Sequence, residues 1–424
     1  MTFSLRQVSA LLLIFVSLLG LVPQRQAVDL DSVKVVSFYE GIEGADMPTL
    51  ISQLADTGTQ VVFRAFWKGR AVDLGTFSIL EERIREIKAK LPWIQIMGGM
   101  TGSLVGYPGD YWPNGTLISH DAAEQMLWTT ADGSFYPSPY TLPARIPVLD
   151  ILKPLAREFV EAYAYRFVDV GFDSLYFDQM DTIPSTAENY GLKVGYQPYI
   201  DAWGQIVAAV KDYSMRKYSR QFYVTAFSEA LDPQGNAAFK PWPYQDFISV
   251  SMNPASVKDP SAQTVWSRFR AQVIEVYGHA IPIMVFMDYG CTSVVPQCPI
   301  EVFASHPRDV QIQLLKKLHD TALRDQVLLV YPLHGGGIKK APYVYDAINQ
   351  GTFDTIRQLA NSQVTVYTML ETTTVTTTVY STLRENPLPN TTILSVLVVV
   401  LFVALVIVLV YRQKRNSGAR ALPT

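Results

Sequence analysis

Short apolar blocks and longer amphipathic segments take turns along most of this chain. Blocks rich in Val, Ile, Phe and Tyr fall at 34–39, 60–67, 94–99, 174–178, 222–228, 246–252, 282–288 and 327–333. They do not alternate cleanly between apolar and polar positions, which is the pattern of strands covered on both faces. Between them, helical periodicity runs over 47–57, 76–91, 152–169, 198–219, 262–279, 307–324 and 342–360. Pro48 and Pro307 stand where the first turn of a helix accepts proline. One crossover, 230–245, carries Pro233, Pro241 and Pro243 and reads as loop with little helix.

Eight strands alternating with helices, from Val33 to about Ala360 and with no internal repeat, predict an α/β chain folded as a single (β/α)8 TIM-type barrel. Segments after strands are long and those before strands short, so the working face is expected at the strand C-termini. The longest, roughly 100–150, contains Tyr107, Tyr111, Trp112, Trp128, Tyr136 and Tyr140. Ordered loops of that length usually carry function. Aromatic faces suit the C–H surfaces of sugars as well as apolar packing. One or two of these rings are expected to meet a ligand and the rest to hold the loop down.

The two ends have a different composition. Residues 8–22 are an apolar block preceded by Arg6, the layout of a secretory signal, with 1–27 as the signal and an uncleaved anchor as the alternative. Residues 393–411 carry no charge and are long enough to cross a hydrocarbon core as a transmembrane helix. Arg412, Lys414, Arg415 and Arg420 follow, which places a basic tail, 412–424, on the cytoplasmic side. The domain at 28–362 is therefore expected to face outward from the cell membrane. Residues 363–392, with Thr372 to Val379 at their centre, read as a Thr-rich stalk; a β-rich extension of the domain is the other reading. The stalk resembles those of archaeal surface proteins.

Net charge is −3 and no basic surface is evident, which points away from nucleic acid as a partner. Cys291 and Cys298 are the chain's two cysteines, and in an exported protein they are expected to close a small disulfide loop. Asn114-Gly-Thr116 and Asn390-Thr-Thr392 match the N-glycan acceptor pattern. Five scattered histidines show no metal-ligand spacing, and neither metal nor cofactor is expected. The Gly335-Gly-Gly337 run lacks the Lys-Ser/Thr and helix of a phosphate loop.

On the predicted strands, polar residues at the C-terminal ends are Glu40, Arg64, Lys68, Asp178, Asp181, Glu229, Asp288 and His334. They should gather on one rim. Trp67, Trp112 and Tyr176 join Glu40, Arg64, Lys68, Asp181, Asp288 and His334 as expected substrate contacts. Acids from three strands could supply the pair that glycosidic cleavage needs, one ionised and one holding a proton. Asp173 is expected to order the turn into strand four.

The run Pro147-Val-Leu-Asp-Ile-Leu-Lys-Pro154, a helix, then Gly171-Phe-Asp-Ser-Leu-Tyr-Phe-Asp178 resembles a segment of (β/α)8 glycoside hydrolases. It is similar to that of the α-glucosidase, α-galactosidase and α-amylase groups and of endo-polygalactosaminidase-like barrels. In the first three groups the matching aspartate is the nucleophile, so the resemblance gives Asp178 that role. It likewise implies that Glu229, in Ala226-Phe-Ser-Glu229, is the acid/base and that Asp288 is the third acid of the α-amylase pattern. The chain departs from these families at Asp178-Gln-Met-Asp181, at Tyr176 where α-amylases have Arg, and at Met180 where chitinases have their catalytic Glu.

The reading that follows is a cell-surface glycoside hydrolase acting on extracellular oligo- or polysaccharide with Asp178 and Glu229, with no obligate protein partner. The alternative is a non-catalytic carbohydrate-binding or envelope protein on the same scaffold.

Overall fold

The structure, a computed structural model, describes residues 32–68, 74–101, 111–128, 135, 148–178, 180, 195–231, 234–235, 243–288, 298–337 and 344–362. The expected signal, stalk, transmembrane helix and basic tail lie outside the described residues, among which no helix is long and apolar enough to cross a membrane. Asp181 and Cys291 also lie outside them.

The eight apolar blocks form strands β1 (Val36–Tyr39), β2 (Val61–Lys68), β3 (Gln95–Thr101), β4 (Ser174–Asp178), β5 (Tyr223–Leu231), β6 (Ile248–Met252), β7 (Ile283–Phe286) and β8 (Leu328–Gly337). Each pairs in parallel with the next, and β8 pairs in parallel with β1, so the sheet closes into a barrel. The helices are α1 (Met47–Asp56), α2 (Leu74–Lys90), α3 (His120–Met126), α4 (Pro154–Val170), α5 (Gln197–Tyr218), α6 (Ala255–Lys258), α7 (Ser267–Tyr277), α8 (Pro299–Ala304), α9 (Arg308–Asp325) and α10 (353–362).

The expected helix over 342–360 is corrected at its start. Val344–Asp346 form a ninth strand, β9, antiparallel to the extended end of β8, and helix begins only at 353. Gly335, with φ +134°, lies within that pairing, which a periodicity reading does not anticipate.

Helix α4 shows how local sequence fixes an element. Pro154 occupies its first turn, and Phe159, Val160, Tyr163, Ala164 and Phe167 recur on its buried side. It stops at Gly171, whose φ of +104° is the left-handed C-cap conformation. The chain then re-enters the barrel at Asp173.

At the N-terminal ends of the strands, side chains pin alternate seams. Gln60 Oε1 accepts from Lys34 N and Val35 N, Asp173 Oδ2 from Ile96 N, and Asp246 Oδ2 from Val224 N. Lys88 of α2 donates to Asp173 and Lys211 of α5 to Asp246, tying the helix layer to the same points. Asp173 thus orders the entry to β4.

Gly98 of β3 lies under Phe167 of α4. A Cβ there would stand 2.5 Å from that ring and 3.2 Å from Phe172. Both rings are fully buried and cannot give way cheaply. Gly98→Ala is expected to destabilise the domain by about 1–3 kcal/mol, read as a lower urea midpoint with an unchanged slope; wild-type stability would contradict this packing.

Candidate active site

Inside the barrel, four aromatic rings from four strands form a floor. Phe63 of β2 contacts Phe38 of β1 at 5.8 Å, Tyr176 of β4 at 5.4 Å and Phe286 of β7 at 4.8 Å between centroids. In a strand, residues two apart share a face. Two positions beyond Phe38, Tyr176 and Phe286 come Glu40, Asp178 and Asp288, so these acids stand on the inner face, one step nearer the C-terminal mouth. Phe227 and Glu229 on β5 repeat the spacing, although the Glu229 side chain is outside the described residues, as is that of Lys68.

Arg64 interrupts the alternation of β2. Its φ is +50°, in the left-handed region that non-glycine residues rarely occupy, and the β2–β3 register shifts between Val62 and Phe66. As a result Phe63 and Arg64, consecutive in sequence, both face the barrel interior. The guanidinium lies 5.4 Å from the Phe38 ring, 5.1 Å from Trp67 and 5.6 Å from Tyr176. One of its terminal nitrogens donates to Glu40 Oε2 at 3.0 Å and the other to Asp288 Oδ1 at 3.5 Å.

The carboxylates bridged by Arg64 remain partly open, with side-chain exposures of 22% for Glu40 and 20% for Asp288 against 5% for Arg64. Burial raises the Glu40 carboxyl above its ordinary value, with Arg64 pulling the other way and Asp288 and Glu43 adding to the rise. For Arg64, burial works against the charge, but Glu40, Tyr176, Asp288 and Asp178 outweigh it and hold the guanidinium above its ordinary range. Asp178 also accepts a hydrogen bond from Tyr176 at 3.3 Å.

His334 closes the seam between the last and first strands of the barrel. Its Nδ1 stands 2.9 Å from the Glu40 carbonyl, and Glu40 N donates to the His334 carbonyl at 2.9 Å. A carbonyl oxygen only accepts, so Nδ1 carries the proton and Nε2 is the acceptor in the neutral ring. The imidazole stacks on Tyr39 at 4.7 Å.

The structure therefore brings Glu40, Arg64, Trp67, Tyr176, Asp178, Asp288 and His334 to one region. Of these, Tyr176 is fully buried and Arg64 nearly so. Trp112 is not part of the group: it packs edge-on against Phe159 of α4 at 5.2 Å and holds its loop to the helix layer. Tyr39, stacked on His334, was not among the residues singled out by sequence. The recurring aromatic–x–acid spacing at strand ends is a signal that could have marked the mouth. Cys298, ten residues after Asp288, is disulfide-bonded, and no described cysteine is free.

Two other charged clusters have structural explanations. His120, Asp121 and Glu124 bring potential metal-binding atoms within 4.8 Å of one another, but all are exposed on the seven-residue α3, and an i,i+4 pair between His120 and Glu124 accounts for the arrangement. A groove lined by Arg85, Lys88, Asp169 and Arg220 lies at the opposite end of the barrel. There Lys88 and Arg220 donate to the carbonyls of Gly171 and Val168 at the end of α4.

No family model and no curated protein matches this chain. Among solved structures it is similar to a debranching enzyme from Nostoc punctiforme soaked with acarbose, at 12% identity and a TM-score of 0.43, over 80% of this chain and 83% of that one. It is also similar to a cyclic α-maltosyl-(1→6)-maltose hydrolase from Arthrobacter globiformis, at 12% identity and TM-score 0.42 over 77% and 81%. A third, a GH31 dextranase from Flavobacterium johnsoniae complexed with glucose, gives 9% identity and TM-score 0.45 over 79% of this chain and 40% of that one. These structural neighbours are glycoside hydrolases. Likenesses this remote carry no argument about chemistry, which has to come from the mouth itself.

A raised carboxyl favours the protonated form in the folded state. The stability it contributes is full below the unfolded value, near 4.5, and is lost as pH rises through the folded value. Glu40→Gln is expected to flatten that part of the decline in unfolding free energy as pH rises above the ordinary carboxyl value. Parallel stability curves for wild type and variant in urea titrations would show that Glu40 has no such role.

Proposed function

We propose that the protein is a glycoside hydrolase that cleaves extracellular oligo- or polysaccharide at the C-terminal mouth of its barrel. The observation that carries this reading is the convergence of Glu40, Asp178 and Asp288, from three separate strands, on one partly open rim above an aromatic floor. Glycosidic cleavage needs an ionised carboxylate against the sugar's C1 and a protonated acid at the leaving oxygen. Asp178 is the better placed nucleophile, since it ends β4 and is held by the Tyr176 hydroxyl.

In the proposed reaction an Asp178 oxygen bonds to C1 as the C1–O bond to the leaving sugar breaks. Glu229 gives its proton to the departing oxygen. Water, deprotonated by Glu229, then releases the sugar from the aspartyl ester and restores both residues. Trp67, half-buried at the rim, and His334 Nε2 offer an apolar face and an acceptor to sugar rings and hydroxyls. The same proposal keeps the domain outside the cell, exported by residues 1–27 and held to the membrane by 393–411 through the 363–392 stalk.

The full-length protein should release reducing ends from at least one member of a panel of neutral and amino-bearing glycans. Glu229→Gln should lower that rate on the order of 10²–10⁴-fold, and Asp178→Asn at least as much. Glycan binding without release, unchanged by Asp178→Asn, would replace the hydrolase reading with the carbohydrate-binding one.

A further inference from the structure

We infer that Arg64 is the positioning residue of this mouth, an internal counter-ion that fixes the Glu40 and Asp288 carboxylates in place and keeps their field from protonating Asp178. The inference deepens the proposed hydrolase reading and rests on it for the role of Asp178.

The first ground is backbone geometry. A regular β2 would place residues 63 and 64 on opposite faces, and Phe63 already fills the interior against rings of β1, β4 and β7. Only the left-handed conformation and register shift at Arg64 let the next side chain follow it inward. Conformations of this kind persist where the surroundings over-determine them.

The second ground is how the guanidinium is used. It is nearly buried, and its two terminal nitrogens engage one acid from each side, after β1 and after β7. It is thus a bridge between acids and not a free cation for a ligand. A planar fork can span two carboxylates in this way, whereas a lysine ammonium is a single point charge.

The third ground is what surrounds it. Among the described residues, the titratable groups that act on Arg64 are Glu40 after β1, Tyr176 and Asp178 on β4, and Asp288 after β7; Glu43 acts on Glu40, and His334 of β8 is joined to the Glu40 backbone. Carboxylates grouped around one cation raise one another's affinity for protons once that cation is removed. A nucleophile must stay ionised, so the bridge that neutralises Glu40 and Asp288 serves Asp178 without binding it through a hydrogen bond.

The test uses the full-length protein with Arg64→Met and Arg64→Lys, each checked for native circular dichroism. Carbodiimide labelling of Glu40, Asp178 and Asp288, which consumes the protonated carboxyl, is read by peptide mass spectrometry near pH 6. Arg64→Met should increase Asp178 labelling about tenfold and move the acid limb of the pH–rate profile to higher pH. Arg64→Lys should label like wild type and leave that limb in place, yet lose on the order of 10²-fold in kcat with KM little changed, because charge remains while geometry is lost. A folded Arg64→Met protein with wild-type labelling and profile overturns the inference. If Arg64→Met does not fold, Arg64→Lys decides alone, and wild-type kcat in that variant overturns it. Should the wild-type protein cleave no glycan at all, the hydrolase reading falls while the labelling still decides the role of Arg64.

Discussion

A cation removed from water must find compensation where it is buried, and in this barrel that requirement organises the mouth. The Arg64 guanidinium lies against three aromatic rings, with its hydrogen bonds directed to two acids from different strands. Ring faces and carboxylates together offset its desolvation. Remove the rings and the charge has no dry platform. Remove either acid and a buried charge loses a partner, which in general is far more costly than never having formed the pair. The acids depend on the arrangement in turn, since they crowd one rim and repel one another. Floor, cation and rim therefore form one unit, and the left-handed backbone at Arg64 is tolerated because that unit holds it.

Acids at the two ends of the barrel do different work. Asp173 and Asp246, at the N-terminal ends of β4 and β6, accept backbone N–H groups from neighbouring strands and pair with Lys88 and Lys211. Each is thereby tied both to the sheet and to the helix layer. Glu40 and Asp288, at the C-terminal ends, both engage the Arg64 guanidinium; exposure does not set them apart, since the Asp246 side chain is 19% exposed and theirs are 22% and 20%. Residue type does not separate these groups; position along the strand does, as the converging geometry of a parallel barrel requires.

That distinction explains what could be read from sequence. All eight strands coincide with apolar blocks, because a strand covered on both faces must be apolar throughout and the signal is dense. The acids of the rim were also legible, since they follow those blocks directly. The start of the last helical segment differs: Val344–Asp346 pair with β8, and three residues are too few for periodicity to tell a helix turn from a strand. The position of Arg64 on the barrel mouth is legible from its strand, but its inward turn is not. A regular alternation would have sent it outward after Phe63, and no local residue pattern announces a left-handed arginine. The Trp112 ring packs against Phe159 of α4 although its loop follows β3. Loop membership fixes where a residue begins, not where its side chain finds cover.

The mouth also lies where the barrel closes on itself. Glu40 and His334 are 294 residues apart and exchange two hydrogen bonds, one between backbones and one from the imidazole. Beside them, Gly335 leaves the space that Glu40 and Phe38 occupy: a Cβ there would come within 2.7 Å of the Glu40 side chain and 2.8 Å of the Phe38 ring. Its φ of +134° is also one that residues with side chains rarely adopt. The pairing of β1 with β8 is the longest-range contact of the sheet and, by loop-closure entropy, among the slowest to form. Until it forms, Glu40 has no fixed position, and without Glu40 the guanidinium of Arg64 lacks its nearest partner. The site therefore depends on closure of the barrel, and a chain with an open seam would carry every rim residue without the arrangement that gives them a common chemistry.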